Sequence, residues 1–136
     1  MAGYITNIVR NFRPDTGNPD RLLVDEFNSM DTDAPGILTA SLSADTPGGV
    51  VSFTSRLFDD ASGIDKYLTA VQNASVERNK QVDEIASKCI SVRLRIMRVL
   101  KQGKYVGSNP PTVMVRNFIR PKRGCADEVI SIIGDV

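Results

Sequence analysis

Residues 90–97, Ile-Ser-Val-Arg-Leu-Arg-Ile-Met, alternate without a fault, with Ile90, Val92, Leu94 and Ile96 on one side and Ser91, Arg93, Arg95 and Met97 on the other. Period two marks a strand whose successive side chains point to opposite faces. A strand with one aliphatic face cannot stand alone; it needs partner strands and a covering layer. The rest of the chain offers both. Residues 4–13, Tyr-Ile-Thr-Asn-Ile-Val-Arg-Asn-Phe-Arg, are rich in β-branched and aromatic types and stop at Pro14, which predicts a first strand. Asn18-Pro19-Asp20 predicts a helix start, with a capping side chain, a proline at the first helical position and an acid at the positive end. Leu22, Leu23, Glu26, Phe27 and Met30 then recur at helical spacing.

Two further alternating runs, 37–44 and 50–58, are joined by Asp45-Thr-Pro-Gly-Gly49 and predict a hairpin. Leu38, Ala40 and Leu42 share one face of the first, and Val51, Phe53, Ser55 and Leu57 one face of the second. Ser62 with Asp65 three residues on predicts a capping box. Ile64, Leu68 and Val71 continue it as a helix, and Val82, Ile85 and Ala86 mark a second helical stretch over Glu77–Lys88, with a break near Asn73–Ser75. The order is βαββαβ over residues 1–102. That is an α+β domain with an antiparallel sheet.

Residues 103–136 read as a linker followed by an echo of the beginning. Val115-Arg-Asn-Phe118 repeats Val9-Arg-Asn-Phe12, an Arg-Pro pair follows each, and Asp20, Leu22 and Leu23 align with Asp127, Val129 and Ile130. The match predicts a C-terminal strand–helix half-repeat packed on the same domain or on a dimer partner. Met114, Arg116 and Phe118 would then correspond to Ile8, Arg10 and Phe12, and Val115 and Asn117 to Val9 and Asn11.

Composition removes several chemistries. Among 136 residues there is no His and no Trp, and the two Cys stand 36 positions apart. Ser-His-Asp and Cys-His catalysis and His-ligated metals are thereby excluded, as is a zinc-finger or iron–sulfur ligand set. No glycine run has phosphate-loop or dinucleotide-loop spacing. Neither a metal nor an organic cofactor is expected. The N-terminus lacks a signal-peptide pattern and no apolar run is long enough to span a bilayer, so a cytoplasmic location without membrane contact is expected. The formal charge of +1 conceals an asymmetry. Residues 1–89 hold 8 basic and 13 acidic side chains, whereas residues 90–126 hold 9 basic and no acidic ones. A block of that kind suits an acidic surface of the same protein, an anion or RNA. RNA is disfavoured because a sheet platform for it needs several exposed aromatics, and Phe53 is the single aromatic inside run 50–57.

The βαββαβ order, the opening pattern at 9–23 and again at 115–130, and the passage Ser-Arg-Leu-Phe-Asp-Asp from Ser55 to Asp60 leading into Ile64-Asp-Lys-Tyr-Leu68 resemble the dimeric α+β-barrel proteins. That ferredoxin-like superfamily includes the antibiotic-biosynthesis-monooxygenase-like and stress-responsive barrel families. The resemblance implies a homodimer in which two sheets pair about a two-fold axis. It also implies a small aromatic or anionic ligand, held in the barrel or between sheet and helices. Some relatives are cofactor-independent monooxygenases on aromatic, acidic substrates, which act through polar residues such as Asn, Arg, Tyr and Trp. The candidates here are Asn11, Arg10, Arg56, Tyr67, Arg93, Arg95 and Asn117, with Tyr4 and Arg116 beside them. A strand arginine facing a cavity can grip a carboxylate bidentately, although such arginines more often pair with acids on a neighbouring element. The expected function is small-molecule binding or assembly, with oxygenase activity and anion or RNA binding through the basic block 90–123 as alternatives.

Overall fold

The computed structural model describes residues 3–101, 103, 107–110, 117 and 119–134. The chain divides into two compact units, Met1–Leu100 and Lys101–Val136. The first contains β1 (Tyr4–Phe12), α1 (Asp20–Ser29), β2 (Gly36–Leu42), β3 (Val50–Phe58), α2 (Ala61–Gln72), α3 (Val76–Ser87) and β4 (Cys89–Arg98). Its four strands form one antiparallel sheet in the order β2-β3-β1-β4. β1 is central, with Ile8 opposite Thr54 on one side and Leu94 on the other. This is the ferredoxin-like α+β arrangement, with the second helical stretch divided in two.

Local chemistry accounts for the element ends. Asn18 Oδ1 accepts the Asp20 N–H at 2.9 Å while Pro19 already has helical dihedrals (φ −83°, ψ −1°), so Asn18 acts as the cap. The capping box expected at Ser62 is corrected. Asp60 caps α2 by accepting from Gly63 N (3.0 Å), and Ser62 Oγ donates to the same carboxylate (2.7 Å). Asp outcompetes Ser there because its charged oxygen makes the stronger bond and complements the helix dipole. The break at Asn73–Ser75 is present: Asn73 N closes α2 on Thr69 O, and Ser75 Oγ opens α3 by accepting from Arg78 N.

Register places Tyr4, Thr6, Ile8, Arg10 and Phe12 on one face of β1, in line with Phe58, Arg56, Thr54, Ser52 and Val50 of β3. This face packs under the helices. Its two ends are apolar: Phe12 joins Leu23 and Ile85, with Leu38, Val50 and Cys89 beside them. At the other end Phe58 joins Met30, Ile64 and Tyr67. The Phe58 and Tyr67 rings lie 5.4 Å apart at 53°. The middle, Thr6, Arg10, Ser52, Thr54 and Arg56, is buried and polar. The sheet therefore carries a polar layer between two hydrophobic clusters.

The aliphatic face read at 90–96 behaves differently from expectation. Val92, Leu94 and Ile96 stand opposite Arg10, Ile8 and Thr6, on the helix side, yet all three are exposed. Ile90 occupies a bulge, since Asn11 pairs with Ser91 and Phe12 with Cys89, and it too is exposed. The contact of α3 with the strand includes the buried Ile85, whose cluster takes in Cys89 at the strand's start; alternation defines a face without saying how far a helix covers it.

The second unit contains α4 (Ala126–Gly134), a helix where the half-repeat reading expects one, and Cys125 O accepts from Val129 N at its start. Gly124 turns the chain into it at φ +85°. The strand expected at Met114–Phe118 lies outside the described residues, apart from Asn117, which is exposed. Cys89 and Cys125 are free thiols. Among the described residues no helix is long and apolar enough to cross a membrane.

Candidate functional site

The polar layer is built from β1, β3, α1 and α3. Arg10 and Arg56 reach it from the helix-side face of their strands. Glu26, one turn after Leu23 on the apolar side of α1, is 3% exposed, and its carboxylate meets two guanidinium groups. Arg78 Nη2, from the first turn of α3, donates to Glu26 Oε1 at 2.8 Å. Arg10 Nη2 stands 3.5 Å from Oε2, an ion contact too long for a well-formed hydrogen bond, and Arg10 Nη1 donates weakly to Thr54 Oγ1 at 3.3 Å. Arg56 is held otherwise: Nη2 donates to Phe27 O (2.9 Å), Nη1 to Ala34 O (3.3 Å), and the guanidinium lies 4.0 Å over the Phe27 ring.

Two guanidinium groups thus share the Glu26 carboxylate, and a third, Arg56, is held on backbone carbonyls beside them. Glu26 Oε2, Arg56 Nε, Arg78 Nε and Ser52 Oγ are buried without a hydrogen-bond partner. Buried charge without full pairing is costly, so this layer is the least satisfied part of the described core. Tyr67 closes one end of it; burial pushes its phenol pKa up, against the opposing pull of Arg56, so the hydroxyl is neutral at physiological pH. Burial likewise lowers the Arg56 pKa, with Tyr67 and Glu26 opposing the change.

The expected site residues do not form one constellation. Arg10, Arg56 and Tyr67 come together in or beside the polar layer. Asn11, Arg93 and Arg95 lie on the other face of the sheet, away from the side on which Arg10 and Arg56 meet α1 and α3. There Asn11 Nδ2 donates to Ser91 Oγ at 2.9 Å, Arg93 is exposed and Arg95 is half-buried opposite Asn7. Asn117 belongs to the second unit. Glu26 and Arg78 were not among the candidates, yet both occupy the apolar stripe of their helices, where a charge signals a buried partner. Asn7 was missed as well; its Oδ1 is buried on the face shared with Arg95, without a hydrogen-bond partner. Among the described residues no cluster of three His, Cys, Asp or Glu could hold a metal ion.

No protein-family model matches the chain, and no curated protein sequence does so significantly. Solved structures do. A dimeric ferredoxin-like protein from an uncultured marine organism superposes with a TM-score of 0.55 at 5% identity, covering 77% of this chain and 94% of its own. A candidate antibiotic biosynthesis monooxygenase from Deinococcus radiodurans gives 0.51 at 11% identity, covering 76% of this chain and 99% of its own. At such identities the likeness is one of fold, and fold alone does not assign chemistry. The chain has the ferredoxin-like α+β fold that its strand and helix order resembles.

Proposed function

We propose that this protein is a homodimeric ferredoxin-like module that binds a small organic anion in the polar layer between sheet and helices. The carrying observation is the charge imbalance of that layer, with Arg10, Arg56 and Arg78 against Glu26 alone. A carboxylate or phenolate would supply the missing countercharge, and Arg10, loosely engaged by Glu26 and Thr54, is the residue freest to grip it bidentately. Arg10, Glu26 and Arg56 are buried, so binding an anion there must displace part of what covers them. The homodimer is supported by the dimeric fold neighbour. We take residues 1–102 as the binding domain and 103–136 as a linker and half-repeat. Two free thiols suit a reducing, cytoplasmic setting.

Thermal-shift titration with benzoate against benzyl alcohol tests the reading. Benzoate raises Tm and the alcohol does not, and Arg10→Met abolishes the difference. Equal effects of acid and alcohol would overturn the anion site, and a monomeric mass by light scattering would overturn the dimer. Oxygenase use, carried by the name of the Deinococcus radiodurans neighbour, is a narrower form of the same proposal. It requires oxygen uptake with an aromatic anion that Arg10→Met removes.

A further inference from the structure

The polar layer lacks hydrogen-bond partners of both kinds. Arg56 Nε and Arg78 Nε are buried donors without an acceptor, whereas Glu26 Oε2 is a buried acceptor without a donor. Arg10 Nη2 stands 3.5 Å from that oxygen, in ion contact but without a hydrogen bond, and the two side chains are only 4% and 3% exposed. Arg10 is otherwise held by one weak bond, to Thr54 Oγ1 at 3.3 Å.

A bare carboxylate gripped by Arg10 would satisfy donors alone. It would also set its own charge beside Glu26 Oε2, and two neighbouring carboxylates in a buried site are unfavourable. A hydroxyl between them removes the conflict, because it donates to Glu26 while its carboxylate accepts from Arg10.

We infer that the anion taken by this layer is a 2-hydroxy acid, with its carboxylate on Arg10 and its hydroxyl donating to Glu26 Oε2; this rests on the anion-binding reading above. Spacing selects the 2-position. In such an acid the hydroxyl and the nearer carboxylate oxygen lie about 2.7 Å apart, which matches a cation and an anion 3.5 Å apart. A hydroxyl on the far side of a benzene ring from its carboxylate reaches one of the two and misses the other. Charge selects hydroxyl over ammonium. A 2-amino acid also offers Glu26 a donor, but it carries no net charge and leaves the excess of guanidinium groups in the layer as it was. Glu26 is then a specificity-determining residue as well as a countercharge.

Phenylacetate, mandelate and phenylglycine share one skeleton and differ at the 2-position by hydrogen, hydroxyl and ammonium. Isothermal titration of the full chain, with the mandelate enantiomers taken separately, is expected to give the better enantiomer a Kd at least about tenfold below that of phenylacetate, with phenylglycine weaker than mandelate. Equal binding of mandelate and phenylacetate would overturn the hydroxy-acid assignment and leave the anion site standing. Binding of none of the three would overturn both. Phenylglycine as the tightest ligand would overturn the choice of hydroxyl. In Glu26→Gln, with its fold checked by circular dichroism, phenylacetate binds at least as well as in the parent and the preference for mandelate falls below about threefold. An undiminished preference would overturn the role given to Glu26. If that variant does not fold, the three ligands on the parent chain decide the matter.

Discussion

Glu26 is the carboxylate that pairs with both Arg10 and the half-buried Arg78, and its charge is the most informative one to remove. Glu26→Gln keeps the shape and one acceptor for Arg78, but leaves Arg10 and Arg78 facing each other without a counter-ion. Stripping one partner from a buried ion network costs about 3–5 kcal/mol. The retained amide bond to Arg78 argues for the lower end. With a typical urea dependence of about 1–3 kcal/mol per molar, the unfolding midpoint falls by roughly 1–3 M with an unchanged slope. Such a loss is a large part of the ~5–15 kcal/mol that holds a domain together. The assay is urea denaturation followed by circular dichroism, in the presence and absence of benzoate. Benzoate restores more stability to the variant than to the parent, because it replaces the missing charge. The triple variant Arg10→Met, Glu26→Leu, Arg78→Met is expected near the parent in stability, since apolar replacement of a whole buried network is often neutral or stabilising. A midpoint that moves by less than about 0.5 M in Glu26→Gln would refute the view of this carboxylate as the layer's countercharge.

Gly36 has no room for a methyl group: a Cβ there would stand 2.7 Å from Arg56 Nη1 and 2.8 Å from Phe27 Cζ. Gly36→Ala is therefore expected to cost about 1–3 kcal/mol by overpacking and to disturb the Arg56–Phe27 stack, as a urea midpoint would read. The hydrogen bonds that Asp60 receives from Ser62 Oγ and Gly63 N lower its pKa below the usual carboxylate range. Its stabilising effect is therefore present above the unfolded carboxyl's pKa and is lost as pH falls through the lower folded value. Asp60→Ala should melt earlier than the parent at pH 7, with the gap closing in strong acid. Burial raises the pKa of Cys89, whose thiol donates to Ile85 O at 3.3 Å. Reaction with a chromogenic disulfide should label Cys89 more slowly than an unhindered thiol, because less of it is thiolate; a rate equal to that of a free thiol would count against this packing.

What could be read from residues alone divides along a physical line. Strand alternation and helix spacing depend on local geometry, and within residues 4–98 they gave the strands and helices their existence and the side chains of β1 their faces: Arg10 with Phe12, Asn11 with Val9. They carry no information on which sheet face a helix will cover. That depends on how α1, α2 and α3 lie on the sheet. Arg10 and Arg56 were therefore grouped with Arg93 and Arg95, although the sheet separates the two pairs completely. The aliphatic row of β4 was expected to be dry for the same reason. The one long-range feature open to inspection lay in the helices. Glu26 interrupts the stripe Leu22, Leu23, Phe27, Met30, and Arg78 precedes Val82 and Ile85 by four and seven residues, on the same helical side. Two apolar stripes, each broken by one charge of opposite sign, are more economically explained by a shared buried contact than by two solvated exceptions. The 2.8 Å contact between them ties α1 to α3 across the polar layer. Any motion that opens that layer to an anion must first loosen it.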